Sequence, residues 1–213
     1  MMHEHSLGVE FFAMLAEIDE EIAVGVAAAG CPVCGGPLHR GNYLRKPRGG
    51  WIVADEVEAI RFSLCCGRRG CRRRALPPSV RFLGRRVYWE GVVLLASVRV
   101  LVMGVIRQAE RVTGVPRRTL HRWRTWWQGE FPQSPLWTVM RARFAPPPPD
   151  TSKLPLSLLD RLAAEMGNAK ESTAADVLTA AARWLAPATT GSVPDSARFV
   201  WKPSLRVRFT QKM

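Results

Sequence analysis

Residues 109–123 read AERVTGVPRRTLHRW. A short helix should end at Gly114, because glycine reaches the left-handed conformation that closes a helix into a tight turn. Pro116 suits the first turn of a second helix, where its missing N–H would have had no partner. In that helix Leu120, Trp123 and Trp127 fall at i, i+3 and i+7, an apolar face that turns inward. Arg117, Arg118, His121, Arg122 and Thr125 remain on the outer face, with Arg124 placed for a phosphate. Two helices joined this way, the second basic on its free face, form the pattern of a helix-turn-helix that lays its second helix in the major groove. Arginine there meets the acceptor edge of guanine. An ordinary helical hairpin with a solvated basic face has the same spacing, so the neighbouring sequence must decide.

The neighbouring sequence is strongly basic. Of the formal charge of +13, residues 31–130 carry +14, from 20 Lys+Arg against 6 Asp+Glu, and the rest of the chain carries −1. A basic segment between near-neutral flanks is the footprint of a polyanion binder, since neutralised phosphates release counterions. Double-stranded DNA is the expected partner. Upstream, Val92 to Met103 is almost wholly apolar and reads as a buried helix, and Arg107 to Thr113 as the short helix before the turn.

Five cysteines lie within residues 31–71. Cys31 and Cys34 form a C-x2-C knuckle followed by Gly35 and Gly36, which let the chain turn tightly enough for its amides to face the sulfurs. Cys65, Cys66 and Cys71 follow in CCGRRGC. Zinc takes four thiolates at tetrahedral corners, commonly from two such knuckles. Cys31, Cys34 and Cys71 are three of them. For the fourth, the C-x4-C spacing favours Cys66, with Cys65 and His39 left open. A closed set of four thiolates leaves no position for a substrate water, so the Zn2+ expected here is structural and no enzyme activity is expected. The intervening stretch is rich in Gly, Pro and Arg, with Trp51, Val53, Ile60, Phe62 and Leu64 suited to short strands. A unit this small buries little core and needs a metal staple. Arg72, Arg73 and Arg74, trailing the second knuckle, form a ridge for phosphates.

The flanks read as helices. Phe11, Phe12, Leu15, Ile18, Ile22 and Val26 mark a packing helix over residues 9–28, with its acids mostly on the other face. After Phe144 a run of four prolines reads as a stiff linker. Leu154 to Met166 and Thr173 to Leu185 suggest two more helices, and Phe199 to Phe209 a short strand or a loose end. Leu154, Leu158, Leu159 and Leu162 give an apolar face suited to packing on the chain's own core, or to self-association.

The order CPVCGG, CC-x4-C with trailing arginines, then GVPRRTLHRW, over residues 31–128, resembles the amino-terminal region of bacterial insertion-sequence transposases. Those proteins pair a zinc ribbon with a homeodomain-like helix-turn-helix to bind the ends of the element. The resemblance implies that Cys31, Cys34, Cys66 and Cys71 hold the metal. It also implies that Arg117, Arg118, His121 and Arg122 read DNA. The stretch after the prolines is too short for the nuclease domain of that family. An accessory or stand-alone binder is therefore expected, acting in transposition, with a transposase as a partner, or in transcription.

The resulting expectation is a mainly α chain with a small β zinc ribbon and a helix-turn-helix bundle. Its parts are an N-terminal helix (1–30), the ribbon (31–87), the helix-turn-helix domain (88–144), a Pro-rich linker (145–152) and a C-terminal helical region (153–213). The acids of the first thirty residues break any apolar signal core. A cytoplasmic, nucleoid-associated place without membrane contact follows. The competing readings are an RNA- or ribosome-associated zinc ribbon and the remnant of a transposase.

Overall fold

The computed structural model describes residues 8–48, 59–83, 88–144, 147–166 and 173–190. Among them are seven α-helices and five short strands, so the chain is mainly helical with a small antiparallel sheet. The strand expectation at Trp51 and Val53 and the tail from Phe199 lie outside the described residues.

Helix α1 (Val9–Ala29) buries Phe11, Phe12, Leu15, Ile18 and Ala23 along one side. It stops at Gly30, whose φ of +76° lets its N–H turn back to the Ala27 carbonyl. One acid departs from the outward pattern. Asp19 is fully buried, because the segment after the sheet brings it donors. Its carboxylate accepts from the Val80 N–H and the Ser79 hydroxyl, both at 2.6 Å, and from Arg81 Nε at 2.8 Å. Arg81 is itself fully buried and donates to the Ile60 carbonyl at 2.8 Å.

The strands are β1 (Leu38–Arg40), β2 (Tyr43–Leu44), β3 (Ile60–Arg61), β4 (Leu64–Cys66) and β5 (Arg74–Ala75). They form an antiparallel sheet in the order β1-β4-β5 and a separate β2-β3 pair. The expected run from Ile60 to Leu64 is thus split. Opposite Phe62 and Ser63 the segment between β1 and β2 crosses from one sheet to the other at Gly41 and Asn42. Gly41 N–H donates to the Ser63 carbonyl, and Asn42 Oδ1 accepts the Ser63 N–H, so a side chain replaces one rung of the ladder.

Helices α2 (Glu90–Met103), α3 (Ile106–Thr113) and α4 (Arg117–Thr125) pack against one another. Gly104 and Gly114, at φ +63° and +64°, end the first two. Their N–H groups return to the carbonyls of Val100 and Glu110. Pro116 is extended and α4 begins one residue after it. The helix then widens into a π turn (Trp126–Glu130) and tightens into a 3-10 turn (Phe131–Gln133). Helix α5 (Pro135–Arg141), capped by the Ser134 hydroxyl, was not expected from the sequence.

Past the prolines the chain folds back. Leu154, Leu158 and Leu162 are buried, α6 (Leu156–Glu165) lies against α7 (Ala174–Leu185), and α7 reaches α2. Thr173 and Asp176 cap α7 reciprocally, the arrangement that satisfies two orphan donors at a helix start. Rings join the parts. Trp89 meets Phe12 and stacks on Phe82, both at 5.0 Å, while Trp184 sits 5.7 Å from both Trp137 and Phe144. Buried side chains from Phe11 to Ala186 form one contiguous cluster. No helix among the described residues is long and apolar enough to cross a membrane.

Candidate metal centre and basic helix face

The sheet and two turns bring four sulfurs together. Cys31 and Cys34 sit on the turn after α1, Cys66 at the end of β4, and Cys71 on the turn before β5. Their Sγ atoms all lie within 4.8 Å of one another. Across the knuckles Cys34 and Cys66 are 3.5 Å apart, and Cys31 and Cys71 3.8 Å. Thiolates about 2.3 Å from a tetrahedral zinc lie roughly 3.8 Å from each other. The cluster is therefore close enough to hold a metal ion, and its soft sulfur donors suit zinc.

The turns supply what the sulfurs need. Gly35 N–H closes on the Cys31 carbonyl at 2.8 Å and Cys31 N–H on the Gly36 carbonyl at 2.9 Å. A Cβ at Gly36 would stand 3.3 Å from the sulfurs of both Cys34 and Cys66. Only glycine leaves that approach unobstructed. Backbone N–H bonds, first that of Val33 and then that of Cys34, together with the thiols of Cys71 and Cys34, draw the Cys31 thiol down to about 7 against the cost of burial. At Cys66 the Arg68 N–H also pulls downward. Burial and the neighbouring Cys34, Cys71 and Cys31 outweigh it and push that thiol up to about 12. Four crowded sulfurs cannot all carry charge without a cation among them.

Of the alternatives for the fourth ligand, the structure brings in Cys66. Leu64 and Cys66 turn inward from β4, and Cys65 faces the other way, against Gly41. His39 pairs with Cys65 in the register and rests its ring on Gly67. Around the second knuckle Arg68 donates to the Cys34 carbonyl at 2.9 Å. Arg72, Arg73 and Arg74 are exposed, with Arg72 at a φ of +47° and Arg74 5.8 Å from the centre of the Tyr43 ring.

The expected inward face is present: Leu120 and Trp123 on α4 and Trp127 on the π turn that continues it are all buried. Trp127 Nε1 donates to Ser97 Oγ on α2 at 3.0 Å, and Trp123 meets Tyr88 edge-on at 5.1 Å. Arg117, Arg118, His121, Arg122, Arg124 and Thr125 are exposed. Arg118, His121, Arg122 and Thr125 line a shallow groove of about 380 Å³ that continues to Trp126 and Glu130 on the π turn. Arg124 donates to Gln128 at 3.3 Å. Sequence reading missed one partner in this region: Glu110 on α3 holds Arg117. The available signal was an acid seven residues before an arginine, in a segment with few acids. Compared with protein-family models, curated proteins and solved structures, the chain has no match.

Proposed function

We propose that this protein binds double-stranded DNA, with α3, the Gly114 turn and α4 acting as a helix-turn-helix and the four-cysteine unit as a zinc ribbon. The carrying observation is the division of α4. Leu120 and Trp123, with Trp127 on the turn that continues the helix, fix it in the core, while Arg118, His121, Arg122 and Thr125 stand exposed in one strip. A helix held in this way can meet base edges without the ordering cost that a loose helix would bear. In this reading Arg118, His121 and Arg122 read bases, Arg124 and the Arg72–Arg74 ridge meet phosphates, and Zn2+ at Cys31, Cys34, Cys66 and Cys71 holds the ridge in place. Bound zinc supplies a structural cross-link and no chemistry, because four thiolates complete its coordination. The likeness to insertion-sequence transposases favours a role beside a transposase or as a regulator of transcription.

The test is a gel shift of the purified full chain on selected genomic fragments, with duplex DNA and structured RNA as competitors. Duplex DNA should compete, and Arg118→Ala should relax preference at one base pair by about 1–3 kcal/mol. Stronger competition by structured RNA would reject the reading in favour of an RNA-binding ribbon.

A further inference from the structure

Six acids lie between residues 31 and 130, and one of them is placed to alter what α4 presents. Glu110, on the last full turn of α3, reaches across the Gly114 turn with both carboxylate oxygens. Oε2 lies 2.9 Å from Arg117 Nε, and Oε1 accepts the Arg117 backbone N–H at 3.1 Å. Among the described residues no carboxylate pairs with Arg118 or Arg122. The first arginine of α4 is therefore engaged, and the next two are available.

Exposure alone would make this a weak pair, since the Arg117 side chain is 52% and the Glu110 side chain 37% exposed. The second bond changes its character. The main chain of α4 orders the carboxylate before the guanidinium arrives, so a phosphate competing for Arg117 must displace an acceptor already in place. A guanidinium with its Nε committed has also lost one edge of the fork that grips phosphate or guanine bidentately.

We infer that Glu110 withholds Arg117 from nucleic acid, so that α4 reads with Arg118 and Arg122 and makes one cationic contact fewer than its sequence offers. Glu110 is thus a positioning residue that trades indiscriminate phosphate affinity for a defined reading set. The inference rests on α4 being the DNA-binding helix.

The experiment measures the full chain on a mixed-sequence duplex of about 20 base pairs over a salt series, where each phosphate contact adds about 0.9 to the slope of log affinity against log salt. Glu110→Gln should steepen the slope by about one and tighten binding roughly three- to tenfold near 0.15 M salt. Arg117→Ala alone should leave the slope unchanged. Added to Glu110→Gln, it should return both quantities to wild type. Arg118→Ala should flatten the slope by about one. A flatter slope in Arg117→Ala alone would overturn the inference. So would a gain in Glu110→Gln that survives removal of Arg117, because that gain would come only from deleting a negative charge. If Glu110→Gln does not fold, Arg117→Ala still decides, as it leaves Glu110 in place. An Arg118→Ala variant with wild-type binding would instead overturn the DNA-reading role of α4. The pair can also be read without DNA: the Arg117 Nε–H resonance should shift in Glu110→Gln, and an unchanged resonance would count against it.

Discussion

Cys65 and Cys66 are neighbours in the chain with opposite surroundings, one half-buried against Gly41, the other closing a cluster of four sulfurs. Cys34→Ser should abolish bound metal and unfold the sheet, while Cys65→Ser should keep full metal content; metal analysis with a thermal melt of each variant checks both. Acid should act in the same direction as Cys34→Ser. Metal binding needs thiolates, and the Cys31 thiol, at about 7, takes up a proton as the pH falls through that value. The Cys66 thiol, at about 12 without metal, must lose its proton when metal binds. Metal affinity should therefore rise with pH and drop more steeply below about 7, where Cys31 also takes a proton, with protons released on binding, which calorimetry in buffers of different ionisation enthalpy would record. The ligand set was only partly legible in the sequence. Spacing named Cys31, Cys34 and Cys71 and favoured Cys66, but Leu64 with Cys66 and Ser63 with Cys65 offer two faces of one strand, so Cys65 stayed open. Which face turned inward depended on β1 and β5 on either side, contacts that no local pattern records.

At the scale of elements, the end of α3 was readable because Gly114 marks it, α2 because its apolar run is almost unbroken, and α1 because its large apolar residues recur along one side. Helix α5 was not. Pro132 and Pro135 look like helix breakers in a linear reading, yet Pro135 occupies a helix start, where a missing N–H has no consequence. The π turn was also hidden, since it leaves the inward spacing of Leu120, Trp123 and Trp127 undisturbed. The hydrogen bond that seats Trp127 on α2 is a sharp point of sensitivity. Ser97→Ala should leave a buried indole N–H without its partner and cost about 1–3 kcal/mol, read as a lower denaturation midpoint with an unchanged m value. Gly114→Val would place a β-branched residue at φ +64°, costing more than the roughly 1 kcal/mol typical of removing a favourable glycine. DNA affinity should fall with it as α4 loses its fixed angle to α3.

For the whole molecule, Asp19 joins parts that are far apart in the chain. Its carboxylate ties α1 to Ser79, Val80 and Arg81. Arg81 carries the connection to β3, and the Ser79 N–H to Thr189 Oγ1 at 3.0 Å. Asp19→Asn should remove the buried carboxylate that faces the Arg81 guanidinium and destabilise the fold by about 3–5 kcal/mol. Pairing it with Arg81→Met should recover much of that loss in chemical denaturation, since the second change removes the buried cation. No sequence pattern marked this hub, because Asp19 sits among outward-facing acids and its partners lie sixty or more residues away. The closing of the core by Trp184 has a further consequence, one of time. The ring that packs beside Phe131, Trp137 and Phe144 is made long after α4 itself. With synthesis at about 5–20 residues per second, the stretch from Trp127 to Trp184 takes roughly 3–11 seconds. A newborn chain carries every arginine of the strip throughout that interval, while the aromatic core beyond α4 still lacks its last ring.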